Sequence, residues 1–186
     1  MMLETLETER LRLRAFTPED VDAYYAGVSS DADVMRYLPG GVPRQRSDSE
    51  WVIGYFMRHA NLHGFGVWAL EDKASRVLLG HAGLEYIPGA EDIEITYTLM
   101  KAYWGRGLAS EAAHAAVHYG FEALNLTEIY GLAFPQNEPS QKVMRKLGMT
   151  YQGITDKYYH DALACYHLSR EQYFAAQRSP HAAAGN

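Results

Sequence analysis

The chain of 186 residues has a single cysteine, Cys165. One thiol can form neither an intramolecular disulfide nor a cysteine-based zinc site, so no covalent or metal staple is expected to hold the fold. Cations are also few: 17 Lys and Arg stand against 23 Asp and Glu, a formal net charge of −6. Nucleic-acid binding draws its affinity from phosphate contacts and goes with a basic field, so no nucleic-acid partner is expected. Long apolar runs are missing. None approaches the ~18 residues that a membrane span needs, and Met1 to Arg10 offers no apolar stretch of the kind a signal sequence carries. The expectation is a cytoplasmic protein with no membrane partner. What remains is an ordinary globular mixture, 47% apolar and 22% charged. That is enough to bury the core of one domain, expected over residues 1–177, with a flexible tail over 178–186.

Hydrophobic periodicity alternates between the two regular types. Arg10 to Arg14 alternates polar and apolar, the period of a half-buried strand. Thr17, Pro18 and Asp20 then start a helix expected to reach Val28, with Thr17 as cap. A short helix is expected over Asp31 to Leu38, stopped by Pro39, Gly40 and Gly41. A longer one follows over Ser47 to His63, its apolar face drawn through Trp51, Ile53, Phe56, Met57 and Ala60, and glycines 64 and 66 end it. Strands are expected over Phe65 to Leu70, Val77 to Tyr86 and Asp92 to Met100, the first two separated by a turn over Glu71 to Ser75. In the third, Ile93, Ile95, Tyr97 and Leu99 take one side and Glu94, Thr96 and Thr98 the other. A helix to about Leu124, a strand over Glu128 to Phe134 and a helix over Glu138 to Leu147 come next, then strands over Thr150 to Tyr158 and Leu163 to Ser169. A last helix spans Arg170 to Ala176. The order is mixed α/β, or α+β, with strands joined both by hairpins and by helices.

The segment from Met100 to Glu111 carries the most chemistry. A strand ends, Gly105 and Gly107 follow, and a helix begins. Glycines admit tight turns and let a ligand approach backbone N–H groups without a Cβ in the way. The first turn of a helix offers unpaired N–H groups and the positive end of the dipole, so the pattern suits an anion, above all a diphosphate. Downstream, the strand at Ile129 to Phe134 leads through Asn137 into a helix with Ser140 in its first turn. Asn137 is placed to cap that helix.

With these blocks in order, the chain resembles the GNAT superfamily of N-acetyltransferases, and within it the branch of the RimJ/RimL ribosomal-protein N-terminal acetyltransferases. The resemblance runs from Leu6–Arg14 and Thr17–Asp20 through Val34–Pro39, Gly80 and Glu94–Leu99. It continues with Trp104–Ala112, Asn137–Ser140 and Lys146–Met149. It implies a mixed, twisted, mostly antiparallel sheet flanked by helices, with the strands around Glu94–Met100 and Glu128–Phe134 forming a parallel, splayed central pair. It further implies acetyl-coenzyme A as acyl donor and an amine as acceptor, either a protein N-terminus or a small molecule. Pantetheine would bond to backbone at Leu99 and Met100 and to Asn137. The pyrophosphate would rest on the loop and first turn formed by Trp104, Gly105, Arg106, Gly107, Leu108, Ala109 and Ser110. Two departures stand out. Trp104 opens the loop where many relatives have Gln or Arg. Met144 occupies the place of a tyrosine that serves many relatives as general acid, so that role passes to Ser140.

Direct transfer needs a neutral amine, a stabilised oxyanion and a proton for the leaving thiolate. Glu94 is the expected base, through water, with Glu85 on the neighbouring strand as the alternative. A backbone N–H near Met100 is the expected oxyanion donor. Tyr158 and Tyr159 are candidates for an acceptor pocket or for packing, and Lys142, Arg145 and Lys146 form either a solvated face or a 3′-phosphate contact. His114 and His118 have the i, i+4 spacing of a helical metal pair but lack a partnering glutamate, and no metal is expected. The pattern Gly105-x-Gly107-x-x-Ser110 lacks the acidic residue about 20 positions on that a dinucleotide site requires. A coenzyme-A-binding sensor without turnover is the rival reading of a different class.

Overall fold

The computed structural model describes residues 3–38 and 40–178. Of the tail expected over 178–186, Arg178 belongs to a helix and residues 179–186 lie outside the described residues, as does Pro39 in the expected helix stop. The elements are β1 (Leu6–Glu7), β2 (Leu11–Arg14), α1 (Val21–Tyr24), α2 (Ala32–Met35), α3 (Arg46–His63), β3 (Val67–Asp72), β4 (Leu78–Tyr86) and β5 (Ile93–Leu99). Then come α4 (Leu108–Glu122), β6 (Glu128–Ala133), α5 (Glu138–Lys146), β7 (Thr150–Thr155), β8 (Leu163–Ser169) and α6 (Arg170–Arg178). The strands form one eight-stranded sheet in the order β1-β2-β3-β4-β5-β6-β8-β7. Pairing is antiparallel for β1–β2, β2–β3, β3–β4, β6–β8 and β7–β8. β5 and β6 run parallel, registered at Glu94 and Tyr130. Contacts group the chain into two compact units, residues 1–85 with 95–116, and residues 86–94 with 117–186.

In the first unit, Thr17 and Asp20 form a reciprocal capping box around Pro18, as the local sequence dictates. The helix it starts is not regular. A 3-10 turn over Pro18–Asp20 passes into α1 and then into a wide π-type turn over Tyr25–Ser29. Gly27 lies in that turn, with the Met100 side chain filling the space a Cβ would occupy. Asp31 caps α2, which is shorter than the expected helix and ends at Met35. In α3 the buried stripe comprises Ser49, Ile53, Phe56, His59 and Ala60, recurring at three- and four-residue steps as one helical face requires. Trp51 is off that stripe by about half a turn and is 63% exposed, which corrects its expected inward position. Gly64 ends α3 in the left-handed conformation, φ 76°.

Phe16, Tyr24, Val28, Ile53, Phe56 and Val67 form the centre of this unit's core. Each fully buried large apolar side chain contributes about 1.5–3 kcal/mol by leaving water. The Phe16 ring stacks on Phe56 at 5.5 Å and meets Tyr24 edge-on at 5.9 Å. β3 extends through Glu71 and Asp72, where a turn was expected. Glu71 stays in the strand because Arg14 on β2 donates to it at 3.0 Å and Arg76 lies 3.0 Å away.

In the second unit, Ile129, Leu168 and Met144 are almost fully buried, and Cys165 lies inside as expected. Phe121 stacks against Tyr173 of α6 at 4.8 Å. His118 bonds the Tyr173 hydroxyl at 2.7 Å, so this histidine helps dock α6. α6 continues to Arg178, two residues past its expected end.

Candidate active site

Within the first unit, β5 ends at Leu99 and a 3-10 turn over Lys101–Tyr103 leads to the glycine loop. Gly105 and Gly107 have φ of 73° and 78°, a conformation that other residues adopt only at a cost of about 1–2 kcal/mol. Both, with Arg106 between them, are exposed, and α4 begins directly at Leu108. Leu108, Ala109 and Ser110 therefore form the first turn, whose N–H groups have no partner within the helix. Exposed left-handed glycines followed by a helix N-terminus fit a diphosphate, the anion that coenzyme A would bring.

Distant residues hold this loop. The Trp104 indole donates to the Leu99 carbonyl at 2.7 Å. Arg10 donates to the Arg106 carbonyl at 2.9 Å and grips Glu111 through Nε at 2.7 Å and Nη2 at 2.6 Å. Glu111 also accepts from the Arg10 N–H and from Thr8. Burial alone would raise the Glu111 carboxyl, but the bonds from Thr8 and Arg10 outweigh it and hold it low. Sequence reasoning missed this buttress, since Arg10 and Glu111 are a hundred positions apart. The Met100 N–H donates to the Leu79 carbonyl at 2.8 Å. It is thus tied into the fold and is no ready oxyanion donor. Gly80 makes that approach possible, because a Cβ there would run into the Thr98 carbonyl oxygen.

The second unit holds the other candidates. Asn137 caps α5, its side-chain oxygen accepting from the Ser140 N–H at 3.2 Å. Ser140 is half-buried in the first turn of α5. Met144 is buried against Gly131, where a Cβ would strike its sulfur. Arg145 bonds Glu138 and Tyr166, so one of the three basic residues of α5 is held by neighbours.

Glu94 is buried, and the Tyr159 hydroxyl donates to its carboxylate. Tyr159 belongs to the loop joining β7 to β8 and, with His160, adopts a left-handed backbone, φ 58° and 56°. Each such residue costs of order 1 kcal/mol. The loop is anchored beside it. Tyr158 donates to Asp92 at 2.6 Å, and Lys157 donates to the same carboxylate oxygen at 2.8 Å. Bonds from Lys157 and Tyr158 hold the Asp92 carboxyl low, and burial with the Asp92 bond pushes the Tyr158 phenol up to about 12. Tyr158 therefore packs, while Tyr159 meets Glu94.

Glu85, the alternative carboxylate, belongs to the first unit and is half-buried near the end of β4. Burial pushes its carboxyl up to about 7, partly offset by a hydrogen bond from Tyr55.

The architecture is a mixed sheet with one parallel strand pair, and an exposed pair of glycines leads into a helix N-terminus. Residues 10–150 match the Acetyltransferase (GNAT) domain family. The chain belongs to that family, and its activity class is N-acetyltransferase. It is 33% identical over 155 residues to the uncharacterized protein YkkB of Bacillus subtilis, covering 82% of this chain and 89% of that one. It is 26% identical over 186 residues to the spermidine N(1)-acetyltransferase of Escherichia coli K12, covering 91% of each. A solved GNAT-family acetyltransferase from Bacillus anthracis superposes with a TM-score of 0.77 at 29% identity, covering 90% of this chain and 99% of that one. Among the described residues no helix is long and apolar enough to cross a membrane.

Proposed function

We propose that the chain moves an acetyl group from acetyl-coenzyme A to a primary amine by direct attack while both substrates are bound. The observation that carries this reading is the exposed cradle of Gly105 and Gly107 opening into α4, which suits the donor's diphosphate. Backbone N–H groups from Gly105 to Ser110 hold the diphosphate, with Trp104 tied to the Leu99 carbonyl at the start of the loop; the resemblance assigns Leu99, Met100 and Asn137 to the pantetheine arm. The donor supplies an activated thioester carbonyl. Glu94, set by Tyr159, accepts the amine's proton directly or through water. The nitrogen lone pair then forms the C–N bond, the C–S bond breaks, and the thiolate takes a proton through the Ser140 hydroxyl, which regains one from solvent as Glu94 releases its own to solvent.

The resemblance to the RimJ/RimL branch points to a protein N-terminus as acceptor, and the name of the Escherichia coli relative points to a polyamine. Both are primary amines, and both fit a protein of net negative charge. Replacing Ser140 by Ala tests the assignment of the proton donor. The expected result is a fall in kcat of about 10²-fold or more with the acetyl-coenzyme A Kd unchanged; an unchanged kcat would remove Ser140 from the mechanism.

A further inference from the structure

Glu85 and His81 are four residues apart on β4, so their side chains stand on the same face of the sheet. That face is lined by rings. Phe56 lies 5.2 Å from the His81 ring, Tyr24 lies 5.8 Å from it, and Tyr55 lies 5.9 Å from Phe56. Trp51 stacks on Tyr55 at 5.8 Å with the planes 5° apart. His81 shares a hydrogen bond with the Tyr24 hydroxyl at 3.0 Å, and burial keeps its imidazole neutral, down at about 3. The Tyr55 hydroxyl bonds Glu85. Tyr55 and Glu85 are half-buried and Trp51 is exposed, so this corner reaches solvent.

A carboxylate on such a face loses hydration that ring edges do not replace and that the Tyr55 hydroxyl only partly offsets. An incoming ammonium changes the balance. It pairs with the carboxylate where water is already partly excluded, and ring faces attract it as well. The rings are apolar enough to take the alkyl chain that carries the ammonium.

We infer that Glu85, with Tyr55 and the exposed ring of Trp51 stacked on it, is a subsite for a cationic amine, and that the acceptor is therefore an aliphatic diamine or polyamine. This rests on the amine-acetylating function proposed above. The amine that attacks a thioester must be neutral. An ammonium held by Glu85 is therefore a second amine of the same molecule. An acceptor with one amine, or with a carboxylate at that position, gains nothing from the subsite.

The test is calorimetric titration of 1,5-diaminopentane and of n-pentylamine, equal in length and differing by one ammonium. Each is titrated into the protein alone and with coenzyme A, for the wild type, Glu85→Gln and Tyr55→Phe, with thermal melting to show that the variants fold. The expected result is a diamine Kd at least 10-fold tighter than that of the monoamine, a preference erased in Glu85→Gln and reduced in Tyr55→Phe. Equal affinity for the two amines in the wild type, no binding of either, or a preference that survives Glu85→Gln would overturn the subsite. If Glu85→Gln does not fold, the wild-type comparison and Tyr55→Phe still decide. Because the readout is binding, diamine affinity without acetyl transfer would contradict the proposed function and leave the subsite standing.

Discussion

The Tyr159 hydroxyl donates to the buried carboxylate of Glu94 across 65 positions of sequence, from a loop whose backbone is left-handed at Tyr159 and His160. Replacing Tyr159 by Phe removes that donor and little volume. With Glu94 as the base, kcat/KM falls by about 10-fold in Tyr159→Phe while the acetyl-coenzyme A Kd is unchanged. Steady-state kinetics and donor titration of wild type and Tyr159→Phe check this. An unchanged kcat/KM would make the bond a loop tether only.

The second prediction concerns Arg10, which joins Glu111 of α4 to the Arg106 carbonyl of the glycine loop. Arg10 is 45% exposed on its side chain, so solvent weakens the pair, and its loss costs about 1 kcal/mol of stability. Its effect on the donor is larger if the loop holds the diphosphate. Arg10→Ala is expected to raise the KM for acetyl-coenzyme A about 5- to 10-fold while kcat changes less than 2-fold. Steady-state kinetics with varied donor checks this, and a fall in kcat at unchanged KM would contradict the loop's role.

The third follows from Glu85. Its carboxyl is raised from 4.5 to about 7 in the folded protein, chiefly by burial. Between these values the folded chain keeps the proton that the unfolded chain has lost. Stability is therefore full below about pH 4.5 and falls by up to ~1.4 kcal/mol per pH unit until about pH 7, beyond which this group adds no further change. Tyr24 and Tyr55 face it from neighbouring elements and His81 from its own strand, with Arg44 acting on Tyr24. Burial keeps His81 neutral, down at about 3, and raises the Tyr24 phenol, so neither titrates in this window. Glu85→Gln should match wild type in urea midpoint near pH 4.5 and exceed it at pH 8. A constant difference across that range would place the titration elsewhere.

These residues also mark what local sequence can and cannot reveal. The tight turns at Gly105 and Gly107 and the helix start at Thr17 and Pro18 were legible because each is a short-range demand on the backbone. The strand containing Glu94 was legible as well, and alternation set Glu94 with Thr96 and Thr98 on one side of it. The Tyr159 hydroxyl that meets the buried Glu94 comes from a distant loop, and no local signal encodes that. Trp51 shows a face drawn too widely. It was grouped with Ile53, Phe56, Met57 and Ala60, while the spacing of Ser49, Ile53, Phe56 and Ala60 already put it on the other side of α3. Arg10 read only as one polar position of an alternating strand, since its partners lie near residue 110. The irregular helix over residues 18–29 depends on Met100 beside Gly27, another contact that chain order hides.

Release of free thiol from acetyl-coenzyme A, followed against diamines, polyamines, lysine peptides and N-terminal Ser and Ala peptides, tests the central claim most directly. Amine-dependent release, with the acetylated amine recovered in equal amount, is the predicted result. Tight donor binding with no release for any amine would contradict acetyl transfer and favour a coenzyme-A sensor, and no donor binding at all would contradict the assignment of the glycine loop as well.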